Sequence, residues 1–158
     1  MGLNIKYRYA LNEDDLPIDI ESLFEKDRKD YICPGCGNIL RAVFGKVKQK
    51  HFRHKKNEDC SSETYLHRMG KLLFEKYYRE AMESGNPFLL GCEIQLKCKR
   101  CEHGPCNIDK SIEFYDLTLH FKSIEIEKKV GRFIPDLLWK SDSGEKIFIE
   151  IAVTHNSS

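Results

Sequence analysis

The spacing of apolar and polar positions changes character twice along this chain. The first thirty residues are mostly polar; "YRYAL" alternates over a few positions and predicts a short strand, and "LPIDIESLFEKD" predicts a brief helix after Pro17. Residues 31–60 alternate short apolar stretches with turns, and "NILRAVFGKVKQKHFRH" reads as a β-hairpin with Gly45 in its turn. The period then lengthens. After Ser61 or Ser62 as N-cap, "ETYLHRMGKLLFEKYYREAMESG" is helical, with Leu66, Met69, Leu73 and Tyr77 at core spacing and Gly85, Asn86 and Pro87 as the stop.

From Phe88 onward the pattern returns to strands: "FLLGCEIQL", one or two more within "SIEFYDLTLHFKSIEIEKKV", and a hairpin of "RFIPDLLW" with "EKIFIEIAVTH" around Ser141 to Gly144. The expected fold class is α/β, a small mixed sheet with a flanking helix preceded by a knuckle. The expected organisation is a lead-in over 1–30, a zinc-ribbon-like module over 31–60 and a core over 61–158.

No apolar run approaches the roughly 18 residues of a membrane helix, and the N-terminus lacks the apolar stretch of a signal peptide. A soluble, cytoplasmic protein is expected. The net charge of +1 excludes a globally basic nucleic-acid binder. Locally the balance differs: Arg41, Lys46, Lys48, Lys50, Arg53, Lys55 and Lys56 follow one another with no acid among them, a stretch that can meet phosphates.

Seven cysteines in a reducing compartment are better read as thiols or metal ligands than as disulfides. "CPGC" presents Cys33 and Cys36 from one tight turn, and "KHFRHKKNEDC" offers His51, His54 and Cys60. A tetrahedral structural zinc takes two ligands from a CxxC turn and two from a second turn. Cys33, Cys36, Cys60 and His54 satisfy that, His54 being preferred because it lies nearer Cys60, with His51 as the substitute. A second cluster, "CEIQLKCKRCEHGPC", supplies Cys98, Cys101 and Cys106, with Cys92 as first choice for a fourth ligand and His103 as second.

Two carboxylates near the C-terminus can carry chemistry. Asp136 follows Pro135 on one strand and Glu150 lies on the next, so a hairpin can bring them together to hold Mg²⁺ or Mn²⁺. Alternation places Phe148, Glu150, Ala152 and Thr154 on one face and Ile147, Ile149, Ile151 and Val153 on the other, which makes Glu150 an acid within an apolar strand. On the helix, Glu63, His67 and Lys71 stand four apart on one face.

The succession CPGC, HFRH, Cys60, "SSETYLHRMGK", then Pro-Asp and "EIA" resembles the competence protein CoiA-like family, from Tyr31 to His155. The resemblance implies a zinc-ribbon-like segment joined to a PD-(D/E)XK nuclease core, with Asp136 and Glu150 as the metal pair and Glu63 as a further acid at the site. It implies nucleic acid, DNA in particular, as partner, the basic 41–56 hairpin holding its backbone. Arg132 and Glu127 would face the same cleft. Ala152 stands where that superfamily has lysine or glutamine, so Lys71, Lys128, Lys129, Thr154 or His155 would supply the missing polar group. The superfamily core continues past the glutamate strand, which leaves a second copy, a partner chain or a longer natural sequence to complete the sheet. The alternative reading is a nuclease-like module that binds DNA or protein without cutting, or an accessory subunit of a bacterial or phage assembly.

Overall fold

The computed structural model describes residues 6–45, 49–56, 59–95 and 110–153, a mixed α/β arrangement of small antiparallel sheets with one long helix. By the density of its internal contacts the chain forms two units, Met1–Phe74 with Glu150–Ser158, and Glu75–Ile149.

The first unit is built on a five-stranded sheet. Its strands are β1 (Tyr9–Leu11), β2 (Pro17–Asp19), β3 (Asp30–Ile32), β4 (Ile39–Val43) and β5 (His51–His54), in the order β2-β1-β3-β4-β5. Residues expected as a lead-in therefore supply two strands to the sheet that carries the CxxC turn. The brief helix expected after Pro17 is instead β2 followed by two single 3-10 turns, Ile20–Ser22 and Glu25–Asp27. Pairing decided this. Tyr9 stands opposite Asp19 in the sheet, and the Asp19 carboxylate also accepts from the Glu21 N–H and pairs with Arg8 at 2.7 Å. The Tyr7 carbonyl accepts from Phe52 N–H at 2.9 Å, so the last strand, β5, also meets the chain entering β1. Tyr7, Ala10, Ile20, Leu23, Tyr31, Leu40 and Phe52 fill the core beneath the sheet.

Helix α1 (Ser62–Ser84) starts where Ser61 Oγ accepts from Thr64 N–H, and ends at Gly85, whose φ of +69° is available to glycine without strain. The Asn86 N–H closes back on the Ala81 carbonyl at 3.0 Å, as in a Schellman ending. Its buried stripe agrees with the expected one at Met69 and, half-buried against the core, at Leu73, and departs from it at the other two positions. Leu66 and Tyr77 are exposed, while Tyr65, Met69, Tyr78 and Ala81 are buried. In the first unit Tyr65 and Met69 join the core under the sheet. The Tyr65 hydroxyl donates to the Tyr9 carbonyl at 2.9 Å and accepts from the Tyr9 N–H at 3.0 Å, satisfying a strand-edge residue from a side chain.

The second unit holds a three-stranded sheet in the order β10-β9-β8 and a two-stranded one, β6-β7. The ranges are β6 (Leu89–Gln95), β7 (Lys110–Asp116), β8 (Phe121–Ile126), β9 (Leu137–Ser141) and β10 (Lys146–Ile149). The stretch expected to give one or two strands gives two, divided by a 3-10 turn at Leu117–Leu119 that Asp116 caps by accepting from Thr118 N–H. The central strand β9 buries Leu137, Leu138 and Trp139 in succession. Trp139 meets Tyr78 edge to face at 5.3 Å, and the Tyr78 hydroxyl donates to the Phe121 carbonyl. Among the described residues no helix is long and apolar enough to cross a membrane.

Candidate metal centre

The turn after β3 is shaped by two backbone hydrogen bonds: Cys33 N–H donates to the Asn38 carbonyl at 2.8 Å, and Gly37 N–H to the Cys33 carbonyl at 2.9 Å. Gly37 closes it at φ +75°, a conformation that side chains disfavour. Gly35 is required for a different reason: a Cβ there would lie 2.9 Å from Tyr65 Cα, against the backbone of α1. The Arg68 guanidinium donates to the Pro34 carbonyl at 3.2 Å and fastens the turn to the same helix.

This geometry gathers Cys33, Cys36, His54 and Cys60, whose ligand atoms all lie within 4.8 Å of one another. The Cys33 and Cys60 sulfurs are 3.7 Å apart, and Cys36 Sγ lies 3.3 Å from His54 Nε2. A disulfide is far shorter, roughly 2.05 Å. Tetrahedral zinc with Zn–S bonds of about 2.3 Å sets sulfurs roughly 3.8 Å apart, close to what is found. The donor set fits a metal such as zinc. Burial pushes the Cys33 thiol up to about 12, so a thiolate at that position calls for a neighbouring cation. Tyr7 backs the site, its ring 4.8 Å from that of His54 in an edge-on contact.

The alternative ligand His51 is not part of the cluster; its Nδ1 lies 3.1 Å from the Gln49 carbonyl oxygen at the other end of β5. Of the second cluster, only Cys92 is described. It sits half-buried in β6 opposite Glu113, while Cys98, Cys101, His103 and Cys106 lie outside the described residues. Thr154 and His155 also lie outside them. The basic hairpin is less unopposed than its sequence suggests, because Asp30 on β3 lies 3.4 Å from both Arg41 and Lys55. Arg41 and Arg53 nevertheless face each other across β4 and β5.

The predicted catalytic residues fall in both units. On α1, Glu63 is exposed in the first turn, His67 is half-buried and Lys71 is only 4% exposed. Asp136, 8% exposed, leads into β9. Glu150 departs from expectation: β10 ends at Ile149 and the carboxylate is exposed, not embedded in an apolar strand. The alternation around it does hold, with 148, 150 and 152 exposed and 147, 149, 151 and 153 half-buried. Ile151 lies close on α1, where a Cβ at Gly70 would come within 2.8 Å of its Cγ2. Glu127 sits at φ +50°, rare for a residue with a side chain, and its N–H donates to the Asp136 carbonyl at 3.1 Å. The sequence shows nothing of that strain, since no glycine or asparagine marks the position.

No curated protein and no solved structure matches the chain. The family model "Competence protein CoiA, N-terminal domain" matches residues 18–63, a span that contains all four clustered ligands. Over residues 18–63 the chain thus bears out its resemblance to the competence protein CoiA-like family, and the match stops at Glu63, short of the other residues expected at a nuclease site.

Proposed function

We propose that this chain is a metal-dependent nuclease of the PD-(D/E)XK kind, joined to a zinc-binding module, and that it acts on nucleic acid, DNA being favoured. The observation that carries the reading is the seating of Ile151 on Gly70. It lays the segment bearing Glu150 against the helical turn that bears His67 and Lys71. The last pair of the β9–β10 ladder is Leu137 with Ile149, and Asp136 and Glu150 are the residues that adjoin that pair in sequence. Asp136 and Lys71 are both buried charged groups, a kind that gathers at functional sites as well as in structural ion pairs.

In this reading Asp136 and Glu150 hold Mg²⁺ or Mn²⁺, which activates water and neutralises charge developing on the phosphodiester. Lys71 takes the place of the lysine that the strand lacks at Ala152. Glu63 and His67 flank it on the helix face, and the four-ligand cluster has a structural role. The match to a competence-protein domain favours nucleic acid as the partner.

The test is cleavage of single- and double-stranded DNA and RNA with Mn²⁺ or Mg²⁺, wild type beside Asp136→Ala/Glu150→Ala. Cutting that disappears in the double variant is expected. Ala152, exposed where a cation would act, favours a second reading as a binding module without cleavage. Nucleic-acid affinity with no cutting under any condition would select it.

A further inference from the structure

Between β8 and β9 the chain makes an excursion from Glu127 to Asp136 that the core does not require. Its base is the hydrogen bond from Glu127 N–H to the Asp136 carbonyl, and its tip is a two-residue turn in which Val130 and Phe133 exchange backbone hydrogen bonds at 2.8 and 3.1 Å. Gly131 takes φ +61° at the first central position, the glycine-first arrangement of a tight hairpin turn. The turn is therefore defined in shape and held at its root by the residue whose carboxylate is proposed to bind the catalytic metal.

What it displays is unusual. Residues 128–135 carry Lys128, Lys129 and Arg132 and no acid. Lys128 reaches Glu125 at 3.7 Å, but Lys129 and Arg132 have no carboxylate partner among the described residues. Beside them Phe133 and Ile134 are 60% and 61% exposed, and the Arg132 guanidinium sits over the Phe133 ring at 5.2 Å. Two large apolar side chains left in water beside uncompensated cations have a use only with a partner that is both anionic and able to cover a ring.

We infer that the 128–134 turn grips single-stranded nucleic acid, Lys129 and Arg132 taking backbone phosphates while an unpaired base stacks on Phe133. Phosphates supply the negative charge, and every base has a face for an aromatic ring or a guanidinium plane. A duplex keeps its bases stacked on one another and leaves the ring nothing to cover, so the turn discriminates against double strands. An anionic membrane would satisfy the charges too, but two apolar side chains offer little area for insertion. The inference rests on the nuclease reading for its purpose, since a strand held here passes the root of the turn at Asp136.

The experiment is fluorescence anisotropy of a labelled oligothymidine and of a duplex of equal length, with Ca²⁺ in place of the catalytic metal. It compares the full chain with Phe133→Ala, Phe133→Tyr, and Lys129→Ala/Arg132→Ala, each checked for folding by circular dichroism. Phe133→Ala is expected to weaken single-strand binding about tenfold and leave duplex binding unchanged, while Phe133→Tyr binds as wild type. The double variant is expected to lower the slope of log affinity against log salt by about 0.7 for each phosphate that is no longer neutralised. Single-strand binding unchanged in all three variants, or a Phe133→Ala loss equal on duplex, would overturn the inference. So would vesicles of phosphatidylglycerol that bind the wild type and compete the oligonucleotide off in a Phe133-dependent way. Metal-dependent cutting that survives alongside unaffected turn variants would sink this inference alone; a wild type that neither cuts nor binds any nucleic acid would sink the nuclease reading with it.

Discussion

Cys60 and Tyr65 show how much rests on single side chains near the start of α1. Cys60 is buried and lies 3.7 Å from Cys33, so replacing it removes a ligand that no nearby group among the described residues substitutes. Cys60→Ser is expected to lower bound zinc by one equivalent per chain, measured by elemental analysis of protein dialysed against trace zinc. Tyr65 is held in its protonated form: burial raises its phenol to about 12, with the hydrogen bonds to Tyr9 partly offsetting that. The folded state therefore holds this proton more tightly than the unfolded chain, whose phenol ionises near 10. Its contribution to stability is complete below pH about 10 and is lost as pH rises towards about 12. Tyr65→Phe, which cannot ionise, is expected to show a shallower fall over that window in denaturant melts, at a cost of about 1–3 kcal/mol at neutral pH for the Tyr9 backbone groups left unbonded.

Among the elements, those with a specific chemical signature were legible and those set by pairing were not. CPGC and HFRH announce a turn and a strand end because metal ligation needs that spacing, and the structure gathers His54 and not His51 as the order along the chain suggested. The helix was legible in extent, and its face only at Met69 and Leu73. Its apolar residues come in adjacent pairs, Tyr65 with Leu66 and Tyr77 with Tyr78, so two phases of the same period fit the sequence. The choice is made by groups far away: the Tyr9 backbone that Tyr65 satisfies, and the Phe121 carbonyl that takes the Tyr78 hydroxyl. The alternation in YRYAL marks β1, whereas the three residues of β2 carry no period of their own and form a strand because they pair with β1. Gly35 ties the knuckle to the helix, and Gly35→Ala is expected to cost about 1–3 kcal/mol, because the atom in its way is helix backbone that cannot swing aside. A drop in the thermal midpoint with zinc still bound would show that the damage is packing and not ligation.

At the scale of the whole molecule, each unit has its own core, one under the five-stranded sheet and the other around Trp139, the chain's single tryptophan. Chelation of zinc is expected to change the near-ultraviolet tyrosine signals of the first unit while Trp139 emission stays that of a buried indole; an immediate red shift would contradict this. The first unit also has a sidedness in time. Cys33 and Cys60 are closed off from solvent, whereas Cys36 is open and His54 half so. Metal exchange should thus run through one doorway, with Cys36 the first sulfur that a chelator, an oxidant or an alkylating reagent reaches and the last that an incoming ion secures.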